Sequence, residues 1–190
     1  MYRRYGYLVG IYFLVVPQIA FANAGVPMIF LVMPALAYSI IPIIMIEAIY
    51  LQKTLKLSAK SAVKTVAISN IVSTAVGIPI TWMILVVIQL ITGGGSSYGI
   101  ETVYEKVIAV TWQAPWLIPY ESDLKWMVPI AGLVLLVPFY FVSWWSEFLV
   151  TKKLLNEINP SVLKKRIRDA NLITYGLLTL WPVVFLIKPL

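Results

Sequence analysis

Residues 66–92 read VAISNIVSTAVGIPITWMILVVIQLIT and contain no Asp, Glu, Lys or Arg. A helix needs about 20 apolar residues to cross the hydrocarbon core of a bilayer, so this stretch is long enough to do so. Three further runs reach or approach that length: 27–51, 126–150 and 170–187. Tyrosines aside, the ionisable side chains of the four runs are Glu47 and Glu147. The sequence therefore predicts an all-α integral membrane protein with a bundle of four transmembrane helices.

The composition points to the same class of protein. Hydrophobic residues make up 61% of the chain and charged residues 12%, and the mean hydropathy is +0.88. That leaves too few polar side chains to cover a soluble globule. There is no Cys and no His, which excludes thiol catalysis, disulfides, Cys/His zinc sites and serine-histidine triads. We therefore expect no enzymatic activity, no cofactor and no metal.

The basic residues are distributed unevenly along the chain. All but three of the fifteen lie before the first run or in the segments 52–65 and 151–169. The positive-inside rule places these two loops in the cytoplasm, and the segment 93–125 and the C-terminus outside. The basic cluster of the second loop is interpreted as a contact with anionic lipid headgroups and not with nucleic acid; it consists of Lys152, Lys153, Lys164, Lys165, Arg166 and Arg168.

Residues 1–24 have the pattern of a secretory signal. Arg3 and Arg4 precede the apolar core LVGIYFLVV, and Ala22-Asn23-Ala24 supplies small residues for cleavage. Cleavage is the favoured interpretation, and retention as a signal anchor would add a fifth helix. In either case residues 25–190 are expected to form a single transmembrane domain.

The outer segment 93–125 is rich in Tyr and Trp, which prefer the headgroup level of a membrane. We expect it to lie along the outer surface, with a short helix over 101–112 that carries Val103, Val107 and Val110 on one side. The alternative is a docking surface for another subunit.

The first two runs in the chain, 27–51 and 66–92, form one helical hairpin, and the last two, 126–150 and 170–187, form a second. An internal similarity links these two hairpins. Glu47 precedes Asn70 by 23 residues, and Glu147 precedes Asn171 by 24. Ser73 also corresponds to Thr174, although two apolar hairpins can share such residues by chance. A true duplication would give parallel repeats related by an axis along the membrane normal.

The expected depth of these polar residues allows them to pair. At a rise of about 1.5 Å per residue, Glu47 and Asn70 lie at matching depth, about 9 Å inside the cytoplasmic interface. Asn171 follows Arg168 closely, so we expect the pair with Glu147 to be shallower and partly hydrated. A carboxylate in hydrocarbon costs about 2.5–3.5 kcal/mol and normally faces the bundle interior. The candidate site residues are Glu47, Asn70, Ser73, Glu147 and Asn171.

The run 66–92 also predicts how the bundle packs. Small and polar residues recur at three- and four-residue steps, which is typical of close helix contacts in lipid; they are Asn70, Ser73, Thr74, Gly77 and Thr81. Prolines in the runs predict kinks: Pro34, Pro42, Pro79, Pro138 and Pro182.

Two functions fit these observations. The first is an accessory subunit or assembly factor of a larger membrane complex, with lipids and either partner subunits or further copies of the chain as its contacts. The alternative is a transporter or channel in which Glu47 and Glu147 bind a proton or cation. The charge bias suits a bacterial plasma membrane or a related energy-transducing membrane.

Overall fold

The computed structural model describes residues 28–93, 101–111 and 124–187, and all its regular structure within these ranges is α-helical. The helices are α1 (Met28–Leu55), α2 (Ala59–Gly93), α3 (Val103–Thr111), α4 (Leu124–Leu154), α5 (Pro160–Leu178) and α6 (Leu180–Ile187). Four spans are long and apolar enough to cross a membrane, the fourth formed by α5 and α6 together. The predicted all-helical class, with four helices long and apolar enough to cross a membrane, is thus confirmed for the described ranges. The predicted signal peptide or anchor lies outside them.

Both hairpins have shorter connections than the sequence predicted. Helix α2 begins at Ala59 and α5 at Pro160, so most of the predicted loops 52–65 and 151–169 is helical. The reason is capping by polar side chains. The Ser61 N–H donates to Ser58 Oγ at 3.2 Å, and the Ser161 N–H donates to Asn159 Oδ1 at 2.9 Å. Each cap supplies an acceptor to an N–H group that the first helical turn leaves free.

Helix α1 ends on a left-handed residue. Lys56 has φ of 54°, and the following Leu57 N–H donates to the Gln52 carbonyl at 3.2 Å. This bond satisfies one of the free carbonyls at the helix terminus. The chain can therefore reverse within three residues and return as α2.

The two hairpins pack with exchanged arms. Helix α2 lies mainly against α4, and α1 lies against α5. Each hairpin therefore places its first arm beside the second arm of the other. Helices α3 and α6 both pack on α4.

Two apolar clusters hold this bundle together. The basic-side cluster lies next to the hairpin turns and consists of Ala48, Leu51, Ala62, Val66, Leu163 and Ile167. The far-side cluster joins α2, α3 and α4 toward their other ends and consists of Leu85, Ala109, Val110, Met127, Ala131 and Leu135. The middle of the bundle, between the clusters, contains the predicted polar residues.

The small-residue stripe of α2 faces α4, with one exception. Asn70, Ser73, Gly77 and Thr81 are buried, whereas Thr74 is exposed. Thr74 lies four residues after Asn70 and seven before Thr81, so it is on the stripe's side of the helix, at the edge opposite Ser73. A Cβ at Gly77 would lie 3.8 Å from Val142 Cγ1, which is ordinary van der Waals contact.

The predicted apolar side of α3 is buried only in part. Val103 is 79% exposed and Val107 is exposed as well, whereas Ile108, Ala109 and Val110 are buried. The reason is that α3 packs on α4 through its C-terminal half. Its N-terminus is closed by Thr102 and Glu105, which bond each other's backbone N–H groups.

Most prolines leave their helix continuous, and the kinks expected at them stay a prediction. Helix α2 continues through Pro79, and α4 continues through Pro138. The fourth span breaks at Thr179, because Pro182 has no N–H to donate to the Leu178 carbonyl. The Thr179 and Val183 N–H groups still bond to carbonyls four residues earlier, so the span continues beyond the break.

Candidate functional site

Glu47 lies inside the bundle and is 2% exposed. Asn70 of the same hairpin donates from Nδ2 to Glu47 Oε2 at 2.8 Å. Thr174 of the other hairpin donates from Oγ1 to Glu47 Oε1 at 2.8 Å. The carboxylate therefore connects the two hairpins.

Glu147 has the same kinds of partner as Glu47, with the roles of the two hairpins exchanged. It is 3% exposed. Asn171 of its own hairpin donates from Nδ2 to Glu147 Oε2 at 2.7 Å, and Ser73 of the other hairpin donates from Oγ to Glu147 Oε1 at 3.0 Å. Each glutamate thus has one amide and one hydroxyl partner, contributed by different hairpins.

The orientation of both amides is fixed by the backbone. Asn70 Nδ2 also donates to the Val66 carbonyl at 3.1 Å, and Asn171 Nδ2 donates to the Ile167 carbonyl at 3.2 Å. A carbonyl accepts and cannot donate, so the atom beside it must be the amide nitrogen. Both amides are therefore donors to the carboxylates.

The two hydroxyl groups have a choice of acceptor. Ser73 Oγ also lies 3.0 Å from the Asn70 carbonyl. Thr174 Oγ1 also lies 3.2 Å from the Asn171 carbonyl and 3.3 Å from the Ala170 carbonyl. A hydroxyl has one proton to donate and can accept through its lone pairs, so each can bond a carboxylate in either direction.

A cavity of about 70 Å³ borders both carboxylates. This is enough space for a few water molecules. Besides Glu47 and Glu147, its polar lining includes Asn70, Ser73, Thr74, Ser39, Ser143 and Tyr175. Its other lining residues lie farther from the basic-side cluster than the carboxylates do, so the cavity extends toward the other end of the bundle.

Ser143 and Tyr175 make the two sides of this cavity unequal. The Tyr175 hydroxyl donates to Ser143 Oγ at 2.8 Å, and both residues lie one helical turn beyond the Glu147 site on α4 and α5. The corresponding positions of the first hairpin, Ile43 and Thr74, form no such pair in the described structure.

Neither carboxylate has a cationic partner among residues 28–93, 101–111 and 124–187. The hydrogen bonds of both come from neutral side chains, and the ion pair found in these ranges joins Arg168 to Asp169 at 2.9 Å. No group of three or more Asp and Glu residues there could hold a metal ion.

The basic residues of the second hairpin lie at its turn. Lys152, Lys153 and Lys165 are exposed, and their contact with lipid headgroups stays a prediction. Lys164 differs, because its ammonium lies over aromatic rings of α4, 5.4 Å from the centre of Trp144 and 5.3 Å from that of Trp145. This cation–π contact ties α5 to α4.

The structure brings all five predicted site residues together, but it differs from the sequence-based expectations in two respects. Asn171 is 0% exposed, so it is not open to water at the hairpin turn as expected, whereas the depth of the second pair in a membrane stays a prediction. The reason is that α5 begins at Pro160 and buries Leu163 and Ile167 before Asn171. Thr174 was recognised only as the counterpart of Ser73, and nothing in the sequence identified it as a partner of Glu47.

Comparisons with protein-family models, with curated proteins and with solved structures find no match to this chain.

Proposed function

We propose that this protein is a small membrane transporter or channel in which Glu47 and Glu147 bind a proton or cation during transport. One observation carries the proposal: two buried carboxylates border the same cavity, and their hydrogen-bond partners within the described ranges are all neutral. Such residues within membrane helices mark ion pathways and proton relays.

The charge balance of the site supports this proposal. Each carboxylate that stays charged in hydrocarbon costs about 2.5–3.5 kcal/mol on insertion scales, and two neighbouring negative charges also repel each other. Amide and hydroxyl donors offset part of that cost but supply no positive charge. A bound proton or monovalent cation removes one of the two negative charges, and a second one neutralises the pair.

The packing supports a parallel repeat as the framework of this site. The two hairpins exchange equivalent contacts, α1 with α5 and α2 with α4. The proposed axis runs along the membrane normal between Glu47 and Glu147, so that each hairpin contributes one carboxylate and completes the other's hydrogen bonds.

The proposed location is a bacterial plasma membrane or a related energy-transducing membrane, with both hairpin turns in the cytoplasm. Reporter fusions after Lys56 and Glu157 should be active only as cytoplasmic reporters, and a fusion after Ser97 only as an external one. A cytoplasmic result after Ser97 would contradict this orientation.

Transport can be tested in liposomes. The purified chain is reconstituted with a pH-sensitive dye inside, and a potassium gradient with valinomycin imposes a membrane potential. The wild type and the Glu157→Gln control, which changes an exposed turn residue, should both acidify or alkalinise the lumen faster than empty liposomes. Glu47→Gln and Glu147→Gln should reduce that rate to the empty-liposome level. Equal rates in wild type and empty liposomes, both in this assay and in a parallel assay with a Na⁺-sensitive dye, would refute the proposal.

An accessory subunit remains the second candidate, and α3 favours it. Val103 is 79% exposed and Tyr104 70% exposed on the same helix, which leaves an apolar ridge beside the membrane domain. Such a patch is typical of a contact with a partner subunit or with lipid. Extraction in mild detergents followed by mass spectrometry should then recover a second protein, and Val103→Lys should release it. Recovery of this chain alone from several detergents would reject the accessory function.

A further inference from the structure

We infer that the ligand of the carboxylate pair is a proton, and that Ser73 and Thr174 accommodate it by reversing the direction of their hydrogen bonds. The inference rests on the proposed function and names its ligand. It is carried by the positions of the two hydroxyl groups, each of which lies within hydrogen-bond distance of a carboxylate oxygen and of a backbone carbonyl.

Glu147 shows the two arrangements. When it is charged, Ser73 donates to Glu147 Oε1 across the observed 3.0 Å. When a proton from water binds Oε1, the acid O–H donates to Ser73 Oγ, and Ser73 donates instead to the Asn70 carbonyl, also 3.0 Å away. No other bond forms or breaks, and every one of these groups keeps a partner.

Glu47 has the same freedom through Thr174. The Thr174 hydroxyl donates to Glu47 Oε1 in the charged state, and turns to the Asn171 carbonyl at 3.2 Å when Glu47 is protonated. The amides of Asn70 and Asn171 donate to the Oε2 atoms in both states. Each carboxylate therefore has one fixed donor and one partner that adapts to its charge.

The same donors argue against a metal ion as the ligand. A hard cation such as Ca²⁺ takes 6–8 oxygen ligands and therefore needs lone pairs directed at it. Here an amide N–H group is fixed on each carboxylate, because the Val66 and Ile167 carbonyls determine which amide atom faces the site. A proton needs only one acceptor and one adaptable neighbour.

The titratable groups facing this site come from three helices of the described structure. They are Glu47 on α1, Glu147 on α4 and Tyr175 on α5, while α2 contributes the neutral Asn70 and Ser73. Tyr175 donates to Ser143 and so is not a donor to either carboxylate.

Infrared spectroscopy of the purified full-length chain tests this inference without any transport measurement. The carboxylic-acid C=O band is recorded across the pH range in which the protein stays folded. We expect a band that loses one component in Glu147→Gln and another in Glu47→Gln. Ser73→Ala should shift the Glu147 component alone, and Thr174→Val the Glu47 component alone. Thr174→Ser should restore the wild-type position.

Ser69→Ala is the matched control, because the Ser69 hydroxyl is buried and bonds only the Val66 carbonyl at 3.1 Å. It should leave both components unchanged. Two hydroxyl variants on different helices keep the test decisive if one of them fails to fold. The inference would be overturned if no acid band is assigned to Glu47 or Glu147, or if that band is lost on adding Na⁺, K⁺ or Mg²⁺ at constant pH. Hydroxyl variants that leave the band unmoved would also overturn it. Protonation without flux would instead refute only the proposed transport.

Discussion

At the scale of single residues, the network around Glu47 predicts that a neutral isostere folds normally. In Glu47→Gln the side-chain oxygen can accept from Asn70, and the new amide N–H group can donate to Thr174 Oγ1, which keeps backbone acceptors for its own proton. This is the arrangement of the protonated acid. We therefore expect the accumulated protein and its thermal unfolding temperature in detergent to match the wild type.

Asn70→Leu should have the opposite effect on folding. Glu47 would lose its fixed donor inside the bundle, and an unpartnered buried polar group costs about 1–3 kcal/mol. We expect reduced accumulation and a lower thermal unfolding temperature. Glu47→Gln combined with Asn70→Leu should recover little, because the glutamine would also lack its donor. Unchanged stability of Asn70→Leu would contradict the assigned hydrogen bond.

The residue scale also shows what the sequence could and could not predict. The pairing of Glu47 with Asn70 follows from their equal depth on two arms joined by a short turn. The bonds from Ser73 to Glu147 and from Thr174 to Glu47 do not, because they depend on how one hairpin docks on the other. That docking results from side-chain packing along whole helices, which a single sequence pattern does not determine.

At the scale of the helices, the apolar runs predicted the spans but not their ends. Hydropathy detects the segment that matches the bilayer, whereas a helix ends where its backbone groups find other partners. Asn159 caps α5 well before the apolar run begins, and the left-handed Lys56 ends α1 after its own run is over. The α3 helix was predicted, but its buried side was not, since only the contact with α4 determines it.

Glycine substitutions at two lysines near the turn between α1 and α2 should change the free energy of unfolding in opposite directions. Lys56 has φ of 54°, where a residue with a Cβ is disfavoured by about 1–2 kcal/mol. Lys56→Gly should therefore raise the free energy of unfolding by about 1 kcal/mol. Lys64→Gly makes the same chemical change inside α2 and should lower it by about 1 kcal/mol. Reversible unfolding in mixed micelles measures both, and a destabilised Lys56→Gly would contradict the left-handed end of α1.

The N-terminus of α3 should depend on pH through Glu105. Its carboxylate accepts from the backbone N–H groups of Thr102 at 2.8 Å and Glu101 at 2.9 Å. These bonds, that of Thr102 first, hold the pKa of Glu105 below its ordinary value of 4.5. A lowered pKa means that the charged cap stabilises the helix above that value, and that the stabilisation is lost as the pH falls through the folded-state pKa.

Amide hydrogen exchange can follow this change. The protection of the Thr102 and Glu101 amides, corrected for intrinsic rates, should decrease as the pH is lowered below 4.5. Glu105→Ala should show the low protection at every pH, whereas Glu101→Gln should behave as the wild type. Protection that is independent of pH in the wild type would show that the Glu105 carboxylate does not cap α3.

At the scale of the whole molecule, the position of the cavity makes the two ends of the bundle different. The basic-side cluster lies between the carboxylates and the hairpin turns, with Leu163 and Ile167 almost fully buried. The cavity lies on the other side of the same carboxylates. Water and small ions are therefore expected to reach the site from the side opposite the basic turns, which the proposed orientation places outside.

Ser143 and Thr151 lie one helical turn before and after Glu147 on the same face of α4. Cysteines at these two positions therefore test from which end of the bundle the site is reached. Ser143 is 7% exposed and borders the cavity, whereas Thr151 is 1% exposed and lies toward the basic turn. The chain has no Cys, so Ser143→Cys and Thr151→Cys each carry a single thiol. A small cationic methanethiosulfonate added outside intact cells should modify Ser143→Cys and leave Thr151→Cys unmodified. Adding Glu147→Gln to Ser143→Cys should slow this reaction, because it removes the negative charge that attracts the reagent. Faster modification of Thr151→Cys would place the entrance on the basic side and reverse the proposed path.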